Sequence, residues 1–349
     1  GDVYKRQVIT PDDSMPAAPT GGGHRRPPVL DRLLPPSGNG PGVGLGRDPW
    51  LHRGADPAGF ADLLDLDGVD ELLTRRGLRT PFLRVAKDGR TLGDREFTTG
   101  GGVGASIPDQ LDAATLARLF AEGSTLVLQA LHRTWGPVID LAHDLVDALG
   151  HPVQVNAYVT PPSSRGFDDH YDVHDVLVLQ LAGEKAWRVR PPVVTDPLRD
   201  DPWTNHRSEV AAATARPAHL EETVRPGDVL HVPRGWIHSA TALGGVSAHL
   251  TVGIHAWTRR HVAGWLVDAA LALLDDDPRM RAALPFGRPP GDLTDTEIDD
   301  VRRALGEALA AVPSAPVRSA LDEAAASSTP PRAVRPVASL VDGDASGRP

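Results

Sequence analysis

The sequence predicts a mainly β fold with flanking helices, a strand-rich block set between two helical ones. From Val153 to Trp257 apolar and polar residues alternate with a period of two, whereas from Asp48 to about Gly150 and again after Trp257 they recur at the helical period. The strand-rich block is also cut by turn signals at PPSSRG, AGE, RPGD, PRG and LGG, the punctuation of many short strands.

Residues 1–44 run through TGGGHRRPP and PPSGNGPGVG, too poor in apolar side chains to offset chain entropy, and are expected to be a flexible leader. Met15 is the first methionine, so the first half-dozen residues are not expected to be native to the gene. Residues 45–257 form the main expected domain. Its helical part is read from Phe60–Leu73, with Leu63, Leu64, Leu66, Val69, Leu72 and Leu73 apolar, and from Ala113–Leu119, Ala130–Trp135 and Ile139–Leu149. Short strands are expected at Pro81–Val85 and Thr125–Leu128.

The barrel core is expected over about 150–257, with strands at Val153–Val159, Val176–Leu181, Ala186–Val189, Asp228–Val232 and Val246–Ile254. Many short strands at such spacing suggest a sandwich or barrel of the jelly-roll or cupin kind, a double-stranded β-helix. Residues 258–325 should be helical, from the apolar Val262–Leu274 and from amphipathic Asp295–Val312, which Thr294 or Asp295 could cap. With Pro or Gly every few positions, 326–349 is expected to be a tail or a single short strand. No internal repeat is visible.

Composition narrows the chemistry. With no cysteine, disulfides, thiolate zinc sites, iron–sulfur clusters and a cysteine nucleophile are excluded together, so any metal must sit on nitrogen and oxygen. A balance of 36 basic to 46 acidic residues, net charge −10, argues against a broad electrostatic grip on nucleic acid, and no direct nucleic-acid binding is expected. No stretch reaches the roughly 20 apolar residues of a membrane span and no secretion signal is visible, which reads as cytoplasmic.

His170 and Asp172 lie two residues apart, so on an extended backbone they project to one face. An HxD triplet arises by chance often, but here Gly227-Asp228 opens a strand, Pro233-Arg234-Gly235 ends it, and His238 follows the bend, where loops at a barrel rim carry function. Two histidines and one carboxylate fit a facial triad that leaves open positions on ferrous iron. His231 and His249 compete for the third place, and the rim position favours His238. His174 suits a solvent-exposed or outer-shell role better than ligation. His151, His206, His219, His255 and His261 have no partner spacing and receive no role.

Two-histidine, one-carboxylate iron often takes a chelating 2-oxo acid that helps to activate dioxygen, and such a co-substrate needs a cation for its far carboxylate. Only Lys5, Lys87 and Lys185 are lysines in a chain that otherwise uses arginine, and Lys185 lies amid Leu181, Ala186 and Trp187. The alternative is a lysine snorkelling from a surface hairpin. Asn156 and Tyr158 alternate onto one face of QVNAYVT, and in a dry core they would be costly, so either they bond one another or they line a polar pocket; Ser247, His249 and Thr251 share a face of Val246–Ile254, and such a polar inner face would suit the co-substrate.

NAYVTPPSSRGF, HYDVHDVLVLQLAGEKAWRV and GDVLHVPRGWIH resemble the JmjC-type cupin oxygenases of the ribosomal oxygenase group, which are Fe(II)- and 2-oxoglutarate-dependent protein hydroxylases. The resemblance is dense over 150–257 and thinner over 48–149 and 258–320. It implies that His170, Asp172 and His238 are the catalytic iron ligands and that Lys185 pairs with the distal 2-oxoglutarate carboxylate. It further implies that Asn156 and Tyr158 line that pocket and that dioxygen is the oxidant. The resemblance implies a protein substrate, a ribosomal protein in the family's case, and a homodimer through the helices after the barrel. Family members carry a winged-helix domain after those helices, for which the last segment is too short, and Gly253 stands where relatives often carry a small hydroxyl residue. The alternatives are an oxygenase acting on a small metabolite and a non-catalytic cupin that binds or scaffolds.

Overall fold

The computed structural model describes residues 26–36, 45–104 and 106–329. Its first half contains α1 (Pro28–Leu33), β1 (Trp50–His52), α2 (Leu66–Thr74), β2 (Leu83–Lys87), β3 (Arg90–Thr91), β4 (Thr98–Thr99), β5 (Gln110–Leu111), α3 (Ala113–Ala121), β6 (Thr125–Leu128), α4 (Leu131–Thr134) and α5 (Gly136–Leu149). There follow β7 (Val153–Thr160), β8 (Asp175–Arg190), α6 (Arg207–Ala213), β9 (Leu220–Val224), β10 (Val229–Val232) and β11 (Ile237–Ile254), then α7 (Arg259–Leu274), α8 (Pro278–Arg281), α9 (Asp295–Ala311) and α10 (Ser314–Ser328).

Nine strands form one antiparallel sheet in the order β1-β10-β8-β11-β7-β6-β2-β3, with β9 added to β8. The expected jelly-roll, cupin-like core with flanking helices is the fold observed. Strand alternation sorts the side chains. On β7, Val153, Val155, Ala157 and Val159 are buried in the main apolar core with Leu64 and Leu72 of the α2 region and Leu141 and Leu145 of α5. Gln154, Asn156 and Tyr158 therefore point to the opposite, inner face. On β8, Leu177 and Leu179 join that main core, while Val176 and Val178 join Trp187, Val189, Leu230, Val232 and Trp236 inside the barrel.

Several expectations are corrected. The leader expected over 1–44 is not wholly outside the fold: residues 1–25 and 37–44 lie outside the described residues, but α1 buries Leu30 and Leu33, and Leu34 follows. Three leucines, Leu30, Leu33 and Leu34, among prolines are enough to anchor a short helix. Within Phe60–Leu73 the helix begins only at Leu66, capped by the Asp65 carboxylate, which accepts from the Gly68 N–H at 2.7 Å. Phe60 has a φ of +58°, which breaks the helix upstream even though Phe60, Leu63 and Leu64 are buried.

The AGE and LGG signals do not separate strands. Both lie inside continuous ones, β8 and β11, which pair from Ile237–Arg190 to Ile254–Asp175 with register shifts between Leu243 and Ala248. Gly183 marks the bend: its φ is +61°, and a Cβ there would come within 2.1 Å of the Val246 carbonyl oxygen. Finally, β9 and the first third of β11 had no apolar alternation to reveal them, because their outward residues are polar and cross-paired, as in the Arg188–Glu221 ion pair at 2.8 Å.

After the barrel, α9 begins at the expected place with Thr294 as N-cap, and its Oγ1 accepts from the Glu297 N–H at 3.3 Å. α7 and α9 share a small core of Ala270, Leu274, Ala304 and Ala308. α10 extends three residues into the expected tail, and residues 330–349 lie outside the described residues.

Candidate metal centre

The HYD triplet sits just ahead of β8, where His170 forms an isolated bridge with His238 at the start of β11. Their backbones exchange two hydrogen bonds, His170 N–H to His238 O at 3.2 Å and His238 N–H to His170 O at 2.8 Å. Tyr171 between the two ligands turns the other way. It is buried against Val210, Ala213 and Ile237, and its hydroxyl donates to the Asp201 carbonyl at 3.0 Å. With the middle side chain locked behind, His170 and Asp172 face forward together.

His170, Asp172 and His238 each offer one ligand atom, and these atoms all lie within 4.8 Å of one another. His238 Nε2 is 3.6 Å from Asp172 Oδ2. Each imidazole is fixed through its other nitrogen: His170 Nδ1–H donates to the Asp168 carbonyl at 2.7 Å and His238 Nδ1–H to the Trp236 carbonyl at 3.0 Å. A carbonyl can only accept, so both Nε2 atoms are left with free lone pairs, the state a metal requires. Burial, and then the neighbouring His170, push the His238 pKa down to about 4, so it is neutral at pH 7. Burial opposes the Asp172 charge, yet His174, His238, His170 and Arg84 outweigh it and hold the carboxyl below its ordinary value. The donor set fits a divalent cation with open positions.

Asp169 braces this loop. Its Oδ1 accepts from Arg190 at 2.7 Å and from the Ser239 hydroxyl at 3.0 Å, tying the stretch before His170 to the ends of β8 and β11. Sequence reasoning missed this brace, since an Asp beside a ligand has no spacing that reveals a partner 21 residues away.

A cavity leads from the triad into the barrel, lined among others by Tyr158, Lys185, Trp187, His249 and Thr251. Lys185 is 4% exposed, at the centre of β8 rather than on a surface hairpin. Its Nζ donates to Thr160 Oγ1 at 3.0 Å, Thr160 in turn bonds Thr125, and no carboxylate lies within ion-pair distance among the described residues. Burial alone lowers its pKa to about 7. His249 stacks on Tyr158 at 5.1 Å and its buried Nδ1 has no hydrogen-bond partner; neither has Trp187 Nε1. Burial, then Lys185, hold His249 well below the ordinary histidine value. Burial, then Asp172, raise Tyr158 to about 12. Buried polar groups are ordinarily satisfied. This cavity collects a cation and two orphaned ring nitrogens, which is the lining an absent anion would complete.

The structure thus brings together His170, Asp172, His238, Lys185, Tyr158 and Thr251. Asn156 stands apart from the Lys185 cavity: its Oδ1 accepts the Ala130 N–H at 2.9 Å, and it lines a second, more open cavity with Arg84, Gln129, Gln154 and His174. His231, one rival ligand, is buried against Trp50 on β10, on the far side of the barrel wall, 3.9 Å from Asp175. His249, the other, faces the cavity outside the triad. His174 stacks on His255 at 4.7 Å, and a Cβ on Gly253 would meet its ring at 2.6 Å. Here the missing side chain makes room for an imidazole.

Residues 137–262 match the JmjC domain family. Bovine ribosomal oxygenase 2 is 36% identical over 140 residues, covering 40% of this chain and 29% of the relative. A Culex quinquefasciatus protein described as a bifunctional lysine-specific demethylase and histidyl-hydroxylase is 29% identical over 220 residues, covering 60% of this chain and 31% of the relative. A solved structure of a ribosomal oxygenase from Escherichia coli aligns with a TM-score of 0.45 at 20% identity, over 76% of this chain and 63% of that one. The chain spans less than a third of the length of these two curated relatives.

Proposed function

We propose that this protein is an Fe(II)- and 2-oxoglutarate-dependent hydroxylase of a protein side chain, with a ribosomal protein as substrate. The observation that supports it most is the pairing of two features in one cavity. A two-histidine, one-carboxylate cluster stands at one end, and at the other a buried lysine has no anion to balance it among the described residues. The names of the bovine and mosquito relatives, and the match to the JmjC domain, favour the same reading.

Bound Fe(II) with 2-oxoglutarate supplies dioxygen activation, which places one oxygen atom in the product alcohol and the other in succinate as carbon dioxide is lost. The chain's own residues do the rest. His170, Asp172 and His238 are the residues that would hold the cation. Lys185, relayed to Thr160 and Thr125, takes the distal carboxylate and fixes the co-substrate's length axis. Tyr158, kept protonated by burial, donates a hydrogen bond into the cavity, and Thr251 lies beside it. Trp187, Val176 and Phe167 exclude water around the reacting centre.

A cytoplasmic location accompanies a ribosomal substrate; no helix among the described residues is long and apolar enough to cross a membrane. A homodimer through the helical segment belongs to the same proposal, since Val267, Leu271 and Leu273 of α7 are exposed apolar residues. Sedimentation of the full chain tests it.

The site is tested by adding Fe(II) and 2-oxoglutarate to the protein without oxygen and recording the weak visible charge-transfer band of the chelate. The band is expected in wild type and absent in His170→Ala. Its absence from wild type would leave the site a cupin-like binding pocket without this chemistry. Incubation with ribosomes then asks whether one protein gains about 16 Da, the mass of a single oxygen atom.

A further inference from the structure

A third cavity, of about 380 Å³, lies where the ends of β7 and β11 meet the loop between β8 and α6 and the start of α7. None of His170, Asp172, His238 or Lys185 lines it. Its lining includes Arg133, Arg199, Arg234, His132, His261 and Trp257 but no carboxylate, in a chain of 46 acidic residues and net charge −10. Arg234 is held 3.4 Å from Asp196, whereas Arg133 and Arg199 have no ion pair among the described residues. Burial, then His174 and Arg199, push the pKa of His255, which also lines the cavity, down to about 4. At pH 7 that ring adds no charge to the charge of the arginines.

The uncharged groups are donors as well. Trp257 Nε1–H is buried and has no hydrogen-bond partner among the described residues, although buried donors are ordinarily satisfied. His132 Nδ1 accepts the Val155 N–H at 3.0 Å and burial lowers its pKa, so the neutral ring carries its proton on Nε2. His261 Nδ1 accepts the Thr258 N–H at 3.0 Å, which likewise leaves Nε2 as the protonated nitrogen. Thr258 is also the N-cap of the 16-residue α7, so the positive end of that helix opens on the same space. A lone exposed arginine needs nothing but water. Here guanidinium groups, an open buried donor and a helix start share one cavity without an acid, a set of donors that lacks its acceptor. Guanidinium forks match phosphate oxygens in pairs, and a space of this size holds more than the ion itself.

We propose that the third cavity binds a phosphate group borne on an organic ester, with Arg133, Arg199 and Trp257 as its donors. The inference is independent of the hydroxylase reading, since it uses neither the triad nor Lys185.

The probes are AMP, adenosine, inorganic phosphate and a short oligouridylate RNA, each titrated by calorimetry into the full-length metal-free protein. AMP should bind, inorganic phosphate should compete with it, and adenosine, the same base and ribose without the phosphate, should bind at least about tenfold more weakly. Arg199 is exposed, so Arg199→Gln should fold as wild type does while raising the AMP Kd at least about tenfold, the scale of a lost hydrogen bond to a charged group. Trp257→Phe, which keeps an aromatic ring without its N–H, should raise it about three- to tenfold. Lys185→Met should leave it within about twofold, because the closed cavity takes no part. Tighter binding of the RNA than of AMP assigns the phosphate to a nucleic-acid backbone, weaker binding to a free ester, and either upholds the site. AMP and phosphate binding no tighter than about 10 mM, unchanged AMP affinity in Arg199→Gln, or loss of binding in Lys185→Met overturns the proposal.

Discussion

Lys185 and Arg84 are two cations on either side of one carboxylate, Asp172, and they are built differently. Lys185 is enclosed in the barrel, tethered through Thr160 to Thr125, and surrounded by rings on Tyr158, His249 and Trp187. Arg84 is half-exposed, leans on Phe167, and borders amides that are themselves pinned by backbone groups. A closed end with a desolvated point charge suits one invariant small anion. An open end with a delocalised cation suits larger groups that must enter and leave.

The comparison fails at its root if the triad holds no metal, so the largest expected effect is there. His170→Ala or His238→Ala should weaken Co(II) binding by more than about 100-fold, beyond the roughly 10- to 100-fold typical of outer-shell changes; calorimetric titration measures it. Next comes the closed end. Lys185→Met should raise the 2-oxoglutarate Kd by about 30- to 1000-fold, or roughly 2–4 kcal/mol, the range for losing one partner of a buried charge pair. The same change removes an uncompensated buried amine, so the apo-protein should melt no lower than wild type. A lower melting temperature would make Lys185 a structural residue and undo the contrast.

Acidity sharpens the distinction further. Lys185 titrates near 7 when free, and a bound carboxylate would draw its pKa back up. Below pH 7 the ammonium is already formed; above it, binding must take up a proton, so 2-oxoglutarate affinity should fall with rising pH by at most about tenfold per unit. Lys185→Met should flatten this slope, and Arg84→Gln should not. The smallest effect is expected at the brace: Asp169→Asn, which weakens the tie to Arg190 and Ser239, should cost about tenfold in Co(II) affinity with little change in melting.

Much of the closed end was legible in the sequence, because the HxD spacing, the PRG bend before His238 and a solitary lysine are local signals. The polar inner face of β7 was likewise visible as Asn156 and Tyr158 alternating in QVNAYVT. What was not legible depends on pairing between distant segments. Asn156 shares a face with Tyr158, yet β7 is long enough that Asn156 lines only the second cavity while Tyr158 lines both. Arg84 looked like any arginine in a short strand until β2 was laid beside β6. Gly183 and LGG were read as turns because a glycine with positive φ looks the same in a hairpin and in a bend, and only the pairing of β8 with β11 tells them apart. The buried Leu30 and Leu33 were hidden by their proline-rich surroundings.

The continuity of β8 has one more consequence. The HxD triplet leads directly into this strand and Lys185 lies ten residues along it from Asp175, past the Gly183 bend, with β11 paired to the strand on both sides of the bend. The gap between the His170–Asp172–His238 triad and the ammonium is therefore a fixed length, and the strand works as a caliper. A 2-oxo diacid one carbon shorter would leave the lysine unmet, and one carbon longer would have to buckle. A single inserted residue between Gly183 and Lys185 would turn the ammonium to the outside of the barrel and leave the caliper with one jaw.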